Sequence, residues 1–409
     1  MDRRSFLKSA AVLSTASTLP PLAPAVLAAE GEPARVRKYN VLGKTGLKMS
    51  DISFGAGKLP SASMILRAVD RGINYFDTAP DYGQSEKLIG EALSRHKGRD
   101  KMYLASKFCR AVPYQDGISH LYPGATKAEY IASVEESLKR MNTDYLDVVF
   151  VHALGEKPEY EAQKQRLTDP EMLAAVADLK KAGKVRALAV SSHGAHNMET
   201  LALDAVQTGH YDILMLAFNF LTFPKVPEVL KAAHAKGVGI IAMKTLAGAK
   251  DSGVKPEGAT PFPHAAFKWV LQHPEVSGLV VTIKTTDELD LYLQASGQAF
   301  AAADQRALDH YAALFGSDYC RTGCGTCQSA CPAGVEIGAI LRHHMYFADY
   351  GDEKRAMQEY AGLERNAAVC ETCADNDACN AACPYGLTVG EKLRAAHRTL
   401  SWDAPVAKG

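Results

Sequence analysis

The stretch GINYFDTAPDYGQSEKLIGEALSRH, residues 72–96, joins a short apolar run to a polar loop and an amphipathic segment. It predicts a strand at 74–78 followed by a helix over SEKLIGEALSRH, which together form one βα unit. From Lys38 to about Ser296, similar apolar runs alternate with amphipathic stretches of about 10 to 15 residues. The sequence therefore predicts a chain of repeated βα units.

Eight strand candidates lie in this region. They are Ile52–Gly55, Asn74–Thr78, Met102–Lys107, Leu146–His152, Val185–Ser191, Ile213–Phe218, Gly239–Met243 and Leu279–Ile283. Eight units over about 260 residues predict an α/β fold, a (β/α)8 TIM barrel, because no GxGxxG turn of a doubly wound sheet follows any strand. In such a barrel the chemistry takes place at the carboxyl ends of the strands.

The composition excludes several classes of protein. The 409 residues include 46 Lys and Arg against 46 Asp and Glu, and this balance argues against a basic surface that binds nucleic acid. With 47% apolar and 22% charged residues, the chain has the composition of a globular enzyme with one large and one smaller domain. No run approaches the roughly 20 uninterrupted apolar residues of a membrane helix, so we expect a soluble mature protein.

The N-terminal residues resemble a twin-arginine export signal. In MDRRSFLKSAAVLSTASTLPPLAPAVLAAE, a charged region with Arg3 and Arg4 precedes a weakly apolar stretch that ends in small residues. The match departs from the usual pattern at Asp2, where Ser or Thr is common. The resemblance implies a signal peptide at 1–29, a linker at 30–37 and export of a folded protein to the periplasm. The alternative is a frayed basic N-terminus on a cytoplasmic protein.

Four polar residues follow consecutive predicted strands. Asp77 and Tyr82 bracket the end of the second strand, and Lys107 ends the third. His152 ends the fourth, so the four side chains could meet at the barrel mouth. A tyrosine hydroxyl, whose reference pKa is about 10, acts as a general acid near neutrality only where a cation stabilises its anion. Lys107 would supply that cation, Asp77 would hold the lysine, and His152 would orient a carbonyl oxygen or relay its proton.

Two segments carry a family resemblance. The segment YNVLGKTGLKMSDISFGAG at 39–57 is similar to the opening hairpin and first strand of the aldo-keto reductase superfamily, and GINYFDTAPDYGQSE is similar to its signature. The resemblance spans the barrel, predicted at 38–300. It implies a catalytic tetrad of Asp77, Tyr82, Lys107 and His152. Hydride would pass from a nicotinamide to a carbonyl, and Tyr82 would protonate the developing alkoxide.

The residues that match the family's cofactor site differ from those of its better-known members. VRALAVSSH carries Ser191 and Ser192, with Ser192 where an amide-binding Asn is common, whereas Asn219 is present. Met243 in IAMKTLAG replaces an aromatic ring, and GLVVTIKTTDEL lacks the usual Gly and offers Lys284. The resemblance implies that these five residues hold NADP or NAD, and the choice between the two stays open. The IAMKTLAG segment resembles the iron-sulfur-bearing branch of the family.

Eight of the nine cysteines lie in the last 90 residues. They form two groups, Cys320, Cys324, Cys327 and Cys331, then Cys370, Cys373, Cys379 and Cys383. Each group ends in the repeat CPxGxxxGxxLR, offset by 52 residues. Such a duplication is typical of two-cluster ferredoxins, although the spacings Cx3Cx2Cx3CP and Cx2Cx5Cx3CP differ from the usual one.

The tail at 317–397 is therefore interpreted as a mainly helical, ferredoxin-like domain with two [4Fe-4S] clusters. The ferredoxin pattern suggests that Cys331 and Cys383 are exchanged between the clusters. Four disulfides in an oxidising periplasm and zinc bound by CxxC pairs are the alternatives. Cys109, outside both groups, is interpreted as a small residue near the barrel mouth.

These observations together predict an exported oxidoreductase that acts on a small carbonyl or alcohol. A nicotinamide gives two electrons as hydride, each cluster carries one, and no flavin motif is evident to couple them. The clusters would therefore be structural, or a redox partner protein would supply electrons. The alternative function is an iron-sulfur electron-transfer protein whose barrel has lost hydride chemistry. The sequence does not name the substrate or the direction of the reaction.

Overall fold

The computed structural model of the protein describes residues 33–113, 119–221, 225–248, 260–373 and 376–401. The predicted signal peptide at 1–29 and residues 30–32 of the predicted linker lie outside the described residues. From Ala34 onward, the described residues form one compact unit.

An antiparallel hairpin precedes a closed barrel of eight parallel strands. The hairpin strands are β1 (Tyr39–Val41) and β2 (Lys48–Ser50), and the barrel strands are β3 (Ile52–Gly55), β4 (Tyr75–Asp77), β5 (Tyr103–Lys107), β6 (Leu146–Leu154), β7 (Val185–Ser192), β8 (Ile213–Ala217), β9 (Gly239–Met243) and β10 (Val276–Thr282). The barrel strands pair in chain order, and β10 closes the ring by pairing with both β3 and β9. The predicted barrel is confirmed.

Helices cover the outside of the barrel. They are α1 (Ala62–Asp70), α2 (Ser85–Arg95), α3 (Lys127–Met141), α4 (Tyr160–Gln165), α5 (Pro170–Lys181), α6 (Met198–Thr208), α7 (Val226–Ala235), α8 (Phe262–Leu271), α9 (Thr286–Leu293) and α10 (Ala302–Phe315). Local sequence fixes several of their ends. For example, the Thr126 side chain accepts from the Glu129 N–H while the Glu129 side chain accepts from the Thr126 N–H, a capping box that starts α3.

The hairpin contributes to the barrel interior. Leu42, Leu47 and Met49 pack with the inward-facing side chains of the strands. Backbone contact is close where the turn meets β9, because a Cβ on Gly43 would lie 2.3 Å from the Gly239 nitrogen. Only glycine fits there, since Gly43 also has a positive φ of +53°. The hairpin therefore lies at the amino end of the barrel strands. The opposite, carboxyl end is the end where the chemistry of such barrels takes place.

The strand that carries His152 is longer than predicted. It continues two residues beyond His152, with a shift in its pairing to β7. Ala153 there has a φ of +51°, and its N–H donates to the Ser191 hydroxyl at 3.0 Å. Arg166 donates to the carbonyl of His152 at 2.5 Å and to that of Ala153 at 3.2 Å. Residues 153 and 154 thus form a β-bulge that side-chain hydrogen bonds hold in place. The pattern of apolar residues did not predict this bulge, because it depends on those side-chain contacts.

Four helices form the described part of the tail. They are α11 (Ile337–Ala348), α12 (Glu353–Ala361), α13 (Asn376–Ala381) and α14 (Val389–Leu400). Their buried side chains, including Ile340, Tyr360 and Leu393, form a core of their own. Helices α11 and α14 each begin six residues after the last cysteine of a group, so the sequence repeat is also a structural repeat.

The tail contacts the barrel at the carboxyl ends of its strands. Arg342 of α11 donates to the Glu156 carboxylate at 2.9 Å, just beyond β6. Lys58, which follows β3, lies 3.4 Å from the Asp352 carboxylate. None of the described helices has the length and apolar character that crossing a membrane requires.

Candidate active site

A buried ion pair lies at the ends of β4 and β5. The Lys107 ammonium donates to the Asp77 carboxylate at 2.6 Å and to the Thr78 carbonyl at 2.8 Å. Both side chains are almost fully enclosed. Burial raises the pKa of Asp77, and the Lys107 charge acts against that rise. The pair is thus a fixed cation beneath the barrel mouth, with its carboxylate partner already in place.

Tyr82 lies in the loop after β4 and faces this cation. The Lys107 nitrogen is 5.2 Å from the centre of the Tyr82 ring. Burial, followed by the nearby carboxylates of Asp77 and Asp81, raises the pKa of the Tyr82 phenol well above its usual range. The hydroxyl therefore carries its proton in the resting protein, as a general acid must.

His152 completes the group from the β6 bulge. Its Nε2 is 3.4 Å from the Tyr82 hydroxyl, and its Nδ1 is 3.1 Å from the Cys109 sulfur. Burial, and then electrostatic interaction with the neighbouring His120 and Lys107, lowers the pKa of His152 well below its usual value. The imidazole is therefore neutral near pH 7, so one of its ring nitrogens donates a hydrogen bond and the other accepts one.

The structure thus brings together the four residues that the sequence selected, Asp77, Tyr82, Lys107 and His152. A carbonyl oxygen near the Tyr82 hydroxyl and His152 Nε2 would meet one proton donor and one group able to orient it. The roles of the individual residues stay predictions.

A cavity of about 450 Å³ lies between the barrel mouth and the tail. Its barrel side is lined by His193, Asn219 and Lys244, and its tail side by Cys320, Arg342 and Tyr346. The Asn219 amide is fixed at both ends, because it donates to the Lys244 carbonyl and accepts from the Leu221 N–H, each at 3.0 Å. Of the predicted cofactor residues, Asn219 therefore lies at a preformed cavity.

The other predicted cofactor residues are distributed differently. The Ser191 hydroxyl accepts a hydrogen bond from the Ala153 N–H, and the Ser192 hydroxyl donates one to the Leu154 carbonyl, each at 3.0 Å. Both hydroxyls therefore join β6 to β7. Met243 ends β9 and packs against the interior core. Lys284 is exposed after β10 and is not among the residues that line the cavity.

An ion-pair cluster joins the tail to the mouth. Arg342 contacts both Glu156 and His193, and His193 Nδ1 is 3.2 Å from the Glu156 carboxylate. Burial alone would raise the pKa of Glu156, but the charges of Arg342 and His193 hold it below its usual value. These residues were not predicted from the sequence, because Arg342 and His193 lie more than 140 positions apart.

The first cysteine group lies next to the cavity. Cys320, Cys324 and Cys327 surround a second cavity of about 390 Å³ together with Cys383 from the other group. Burial and the neighbouring sulfurs of Cys327, Cys324 and Cys383 raise the pKa of Cys320 to about 12. The structure therefore pairs Cys383 with the first three cysteines, as the ferredoxin pattern predicts.

The second group is completed in the same way. Burial and then the sulfurs of Cys331, Cys373 and Cys379 raise the pKa of Cys370 to about 11. Within the part of the chain that the structure describes, no disulfide joins any of the nine cysteines. Two sets of four sulfurs, each with one member from the other half of the repeat, are thus brought together.

Two further residues beside His152 were missed. Asp81 lies within the quoted stretch 72–96, one residue before Tyr82, so its position was a usable signal. His120 lies in the loop between β5 and α3, and its ring centre is 4.2 Å from that of His152. No sequence motif in this loop indicated a functional residue.

The sequence of the barrel is similar to those of known reductases and dehydrogenases. The sequence profile of the Aldo/keto reductase family matches residues 58–263. A relative from Alternaria alternata, "Aldo-keto reductase AFTS1", is 30% identical over 261 residues, which are 55% of this chain and 69% of the relative. The "L-galactose dehydrogenase" of Arabidopsis thaliana is 29% identical over 261 residues, covering 60% and 77% of the two chains.

A solved structure supports the same assignment. The crystal structure of a Pseudomonas aeruginosa protein described as an aldo-keto reductase superposes with a TM-score of 0.52 and 27% identity, covering 67% of this chain and 97% of that one. The matched family region includes the segments that carry Tyr82, Lys107 and His152. The chain belongs to the aldo/keto reductase family and is an NAD(P)-dependent oxidoreductase.

Proposed function

We propose that this protein reduces a small carbonyl compound, or oxidises the corresponding alcohol, at a site formed by Tyr82, Lys107, Asp77 and His152. The observation that carries the proposal is the buried Lys107 ammonium, held by Asp77 at 2.6 Å and directed at the Tyr82 ring. Burying a cation costs stability unless the cation is paired, as Lys107 is with Asp77. A buried cation beside a phenol can stabilise the phenolate, which is a catalytic role. The names of the relatives include both a reductase and a dehydrogenase, so the proposal covers both directions.

The four residues would divide the work as follows. Bound nicotinamide would supply a hydride to the carbonyl carbon. Tyr82 would donate its hydroxyl proton to the carbonyl oxygen, and Lys107 would stabilise the phenolate that remains. Asp77 would keep Lys107 charged and fixed, while His152 would orient the oxygen through Nε2. Asn219, Ser191, Ser192, Met243 and Lys284 are the residues that we propose to contact NADP or NAD.

Lys107→Met tests this assignment. Without the ammonium, the phenolate loses its stabilising charge, so we expect the turnover number to fall by about 10²-fold or more. The Kd for NADPH, measured by fluorescence titration, should stay within about twofold. Lys87→Met is the matched control, since it removes an exposed ammonium on α2 and should leave turnover and NADPH affinity unchanged. Lys107→Met that binds NADPH poorly but turns over normally at saturation would make Lys107 a binding residue instead.

The tail is proposed to be a ferredoxin-like domain, at 317–397, with two [4Fe-4S] clusters. Two sets of four closely spaced thiols suit cubane clusters, which take four thiolate ligands each. Cys320 lines both the thiol-bounded cavity and the cavity that contains Asn219. The first cluster would therefore lie beside the nicotinamide site, and a redox partner protein would exchange electrons through the tail.

The alternative is an electron-transfer protein whose barrel has lost hydride chemistry. The complete tetrad with its short Asp77–Lys107 contact favours an enzyme, because a barrel without chemistry has no need for a buried cation at its mouth.

Export to the periplasm, with residues 1–29 as a twin-arginine signal and 30–37 as a linker, belongs to the same proposal. Replacing both Arg3 and Arg4 by Lys should leave full-length, iron-bearing protein in the cytoplasm, because this route reads the arginine pair. Cell fractionation with an immunoblot and an iron assay measures the result. Periplasmic protein trimmed near residue 28 despite both substitutions would contradict the signal assignment.

A further inference from the structure

Beside the tetrad, four buried side chains bring together the types of atom that bind a transition metal. They are Asp81, Cys109, His120 and His152. One ligand atom of each lies within 4.8 Å of all the others. Apart from the imidazole of His152, the proposed reaction uses none of them.

Two loops and one strand supply these residues. Cys109 and His120 are held opposite each other by an antiparallel bridge, with an Arg110 N–H to Ser119 carbonyl bond of 2.6 Å next to it. Asp81 comes from the loop between β4 and α2, and His152 comes from the β6 bulge. The backbone therefore fixes the four positions independently of any ligand.

Three of the distances between these ligand atoms are close to those of a small tetrahedral site. The Cys109 sulfur is 3.1 Å from His152 Nδ1, and the Asp81 Oδ2 is 3.3 Å from His120 Nε2 and 3.7 Å from His152 Nδ1. Ligands at zinc bond lengths of about 2.0 to 2.3 Å with tetrahedral angles lie about 3.3 to 3.6 Å apart. A small movement of the side chains would place all four atoms on one ion.

The charges of these side chains also favour a bound divalent cation. Asp81 is buried, and among the described residues neither of its carboxylate oxygens accepts a hydrogen bond. A buried carboxylate that lacks hydrogen bonds is costly. One Zn²⁺ bound by the Asp81 carboxylate, the Cys109 thiolate and two neutral imidazoles would give a site with no net charge.

We propose that Asp81, Cys109, His120 and His152 bind one divalent transition-metal ion, with Zn²⁺ as the ion that best suits one sulfur, two nitrogens and one carboxylate oxygen. Binding through His152 Nδ1 requires the remaining proton of that imidazole to be on Nε2. Nε2 faces the Tyr82 hydroxyl at 3.4 Å. The metal would thus fix His152 as a hydrogen-bond donor toward the reacting oxygen.

The test is the metal content of the full-length, cluster-bearing protein after incubation with Zn²⁺ and desalting. We expect about one zinc per chain in the wild type, and none in His120→Gln, with the same iron content in both. His264→Gln is the matched control, because His264 is a buried histidine in α8 whose Nε2 contacts the Leu291 carbonyl instead. This variant should retain the zinc. Thermal unfolding of each variant checks that it is folded.

X-ray absorption at the zinc edge supplies a second measurement on the wild type alone. The proposed site predicts one sulfur at about 2.3 Å and three nitrogen or oxygen ligands at about 2.0 to 2.2 Å. Zinc bound by the tail cysteines would instead show four sulfurs. Four sulfurs, equal zinc in the wild type and folded His120→Gln, or a wild type that takes up no zinc would each overturn the proposal. Since neither readout depends on catalysis, this failure is distinct from failure of the proposed reaction.

Discussion

Tyr82→Phe is expected to lower the turnover number for carbonyl reduction by about 10²- to 10⁴-fold, the usual contribution of a positioned general acid. The substitution removes only the hydroxyl that lies 3.4 Å from His152 Nε2 and leaves the ring over Lys107. Nicotinamide affinity and thermal stability should therefore change little. Steady-state kinetics at saturating NADPH, together with a fluorescence titration of the cofactor, measures both quantities.

Tyr75→Phe is the matched control for this loss. Tyr75 lies on the same strand two residues before Asp77, but its side chain packs in the barrel interior. Its buried hydroxyl has no hydrogen-bond partner among the described residues, so removing it should cost little stability or activity. Unchanged turnover in Tyr82→Phe, or equal losses in the two variants, would contradict the role assigned to Tyr82.

Paired cysteine substitutions should show that the two clusters share ligands across the repeat. The wild type is expected to contain about eight iron atoms per chain. Because Cys327 and Cys383 line the same cavity, the double variant Cys327→Ala/Cys383→Ala should keep about four. In Cys327→Ala/Cys331→Ala both clusters lose a ligand, so iron should fall to about zero. Iron analysis of anaerobically purified protein gives these numbers.

The reverse pattern has a clear meaning. If Cys327→Ala/Cys331→Ala retains four iron atoms while Cys327→Ala/Cys383→Ala retains none, each group binds its own cluster. Iron-free wild-type protein whose thiols react with iodoacetamide only after reduction would support four disulfides. Stoichiometric zinc without iron would support the zinc alternative.

The barrel follows from the sequence because its strands are short apolar runs between amphipathic segments. The end of β5 at Lys107 was predicted correctly, whereas β4 ends at Asp77, one residue before its predicted end at Thr78. The last strand begins at Val276, three residues before its predicted start, because Ser277 and Gly278 interrupt the apolar pattern without ending the strand. Burial of apolar side chains determines whether a strand forms, whereas local contacts determine the residue at which it ends.

The site was predictable where it depends on strand order and hidden where it depends on loops. Consecutive parallel strands must bring Asp77, Lys107 and His152 to one end of a barrel. The duplicated cysteine pattern likewise indicated the exchange of Cys383. The bulge at His152 is held by Arg166, which follows α4 14 residues later, and the apolar pattern of the strand does not encode such a side-chain contact.

The contact between the tail and the barrel mouth could not be predicted from the sequence either. It depends on Arg342 meeting Glu156 and His193, and each of these residues is unremarkable in its own segment. Only the folded arrangement shows that the cysteine-rich tail and the predicted cofactor residue Asn219 line the same cavity next to Cys320.

The central claim is that the barrel performs hydride chemistry in a chain that also binds iron-sulfur clusters. The most direct measurement is deuterium transfer from stereospecifically labelled [4-²H]NADPH and NADH to a panel of small aldehydes and ketones, read by mass spectrometry with anaerobically purified, iron-bearing protein. Hydride transfer at one fixed face predicts a single deuterium on the carbinol carbon from one of the two C4 diastereomers and none from the other. Iron-bearing protein that is reduced by dithionite yet binds neither nucleotide and transfers no deuterium would contradict the claim and identify the chain as an electron carrier.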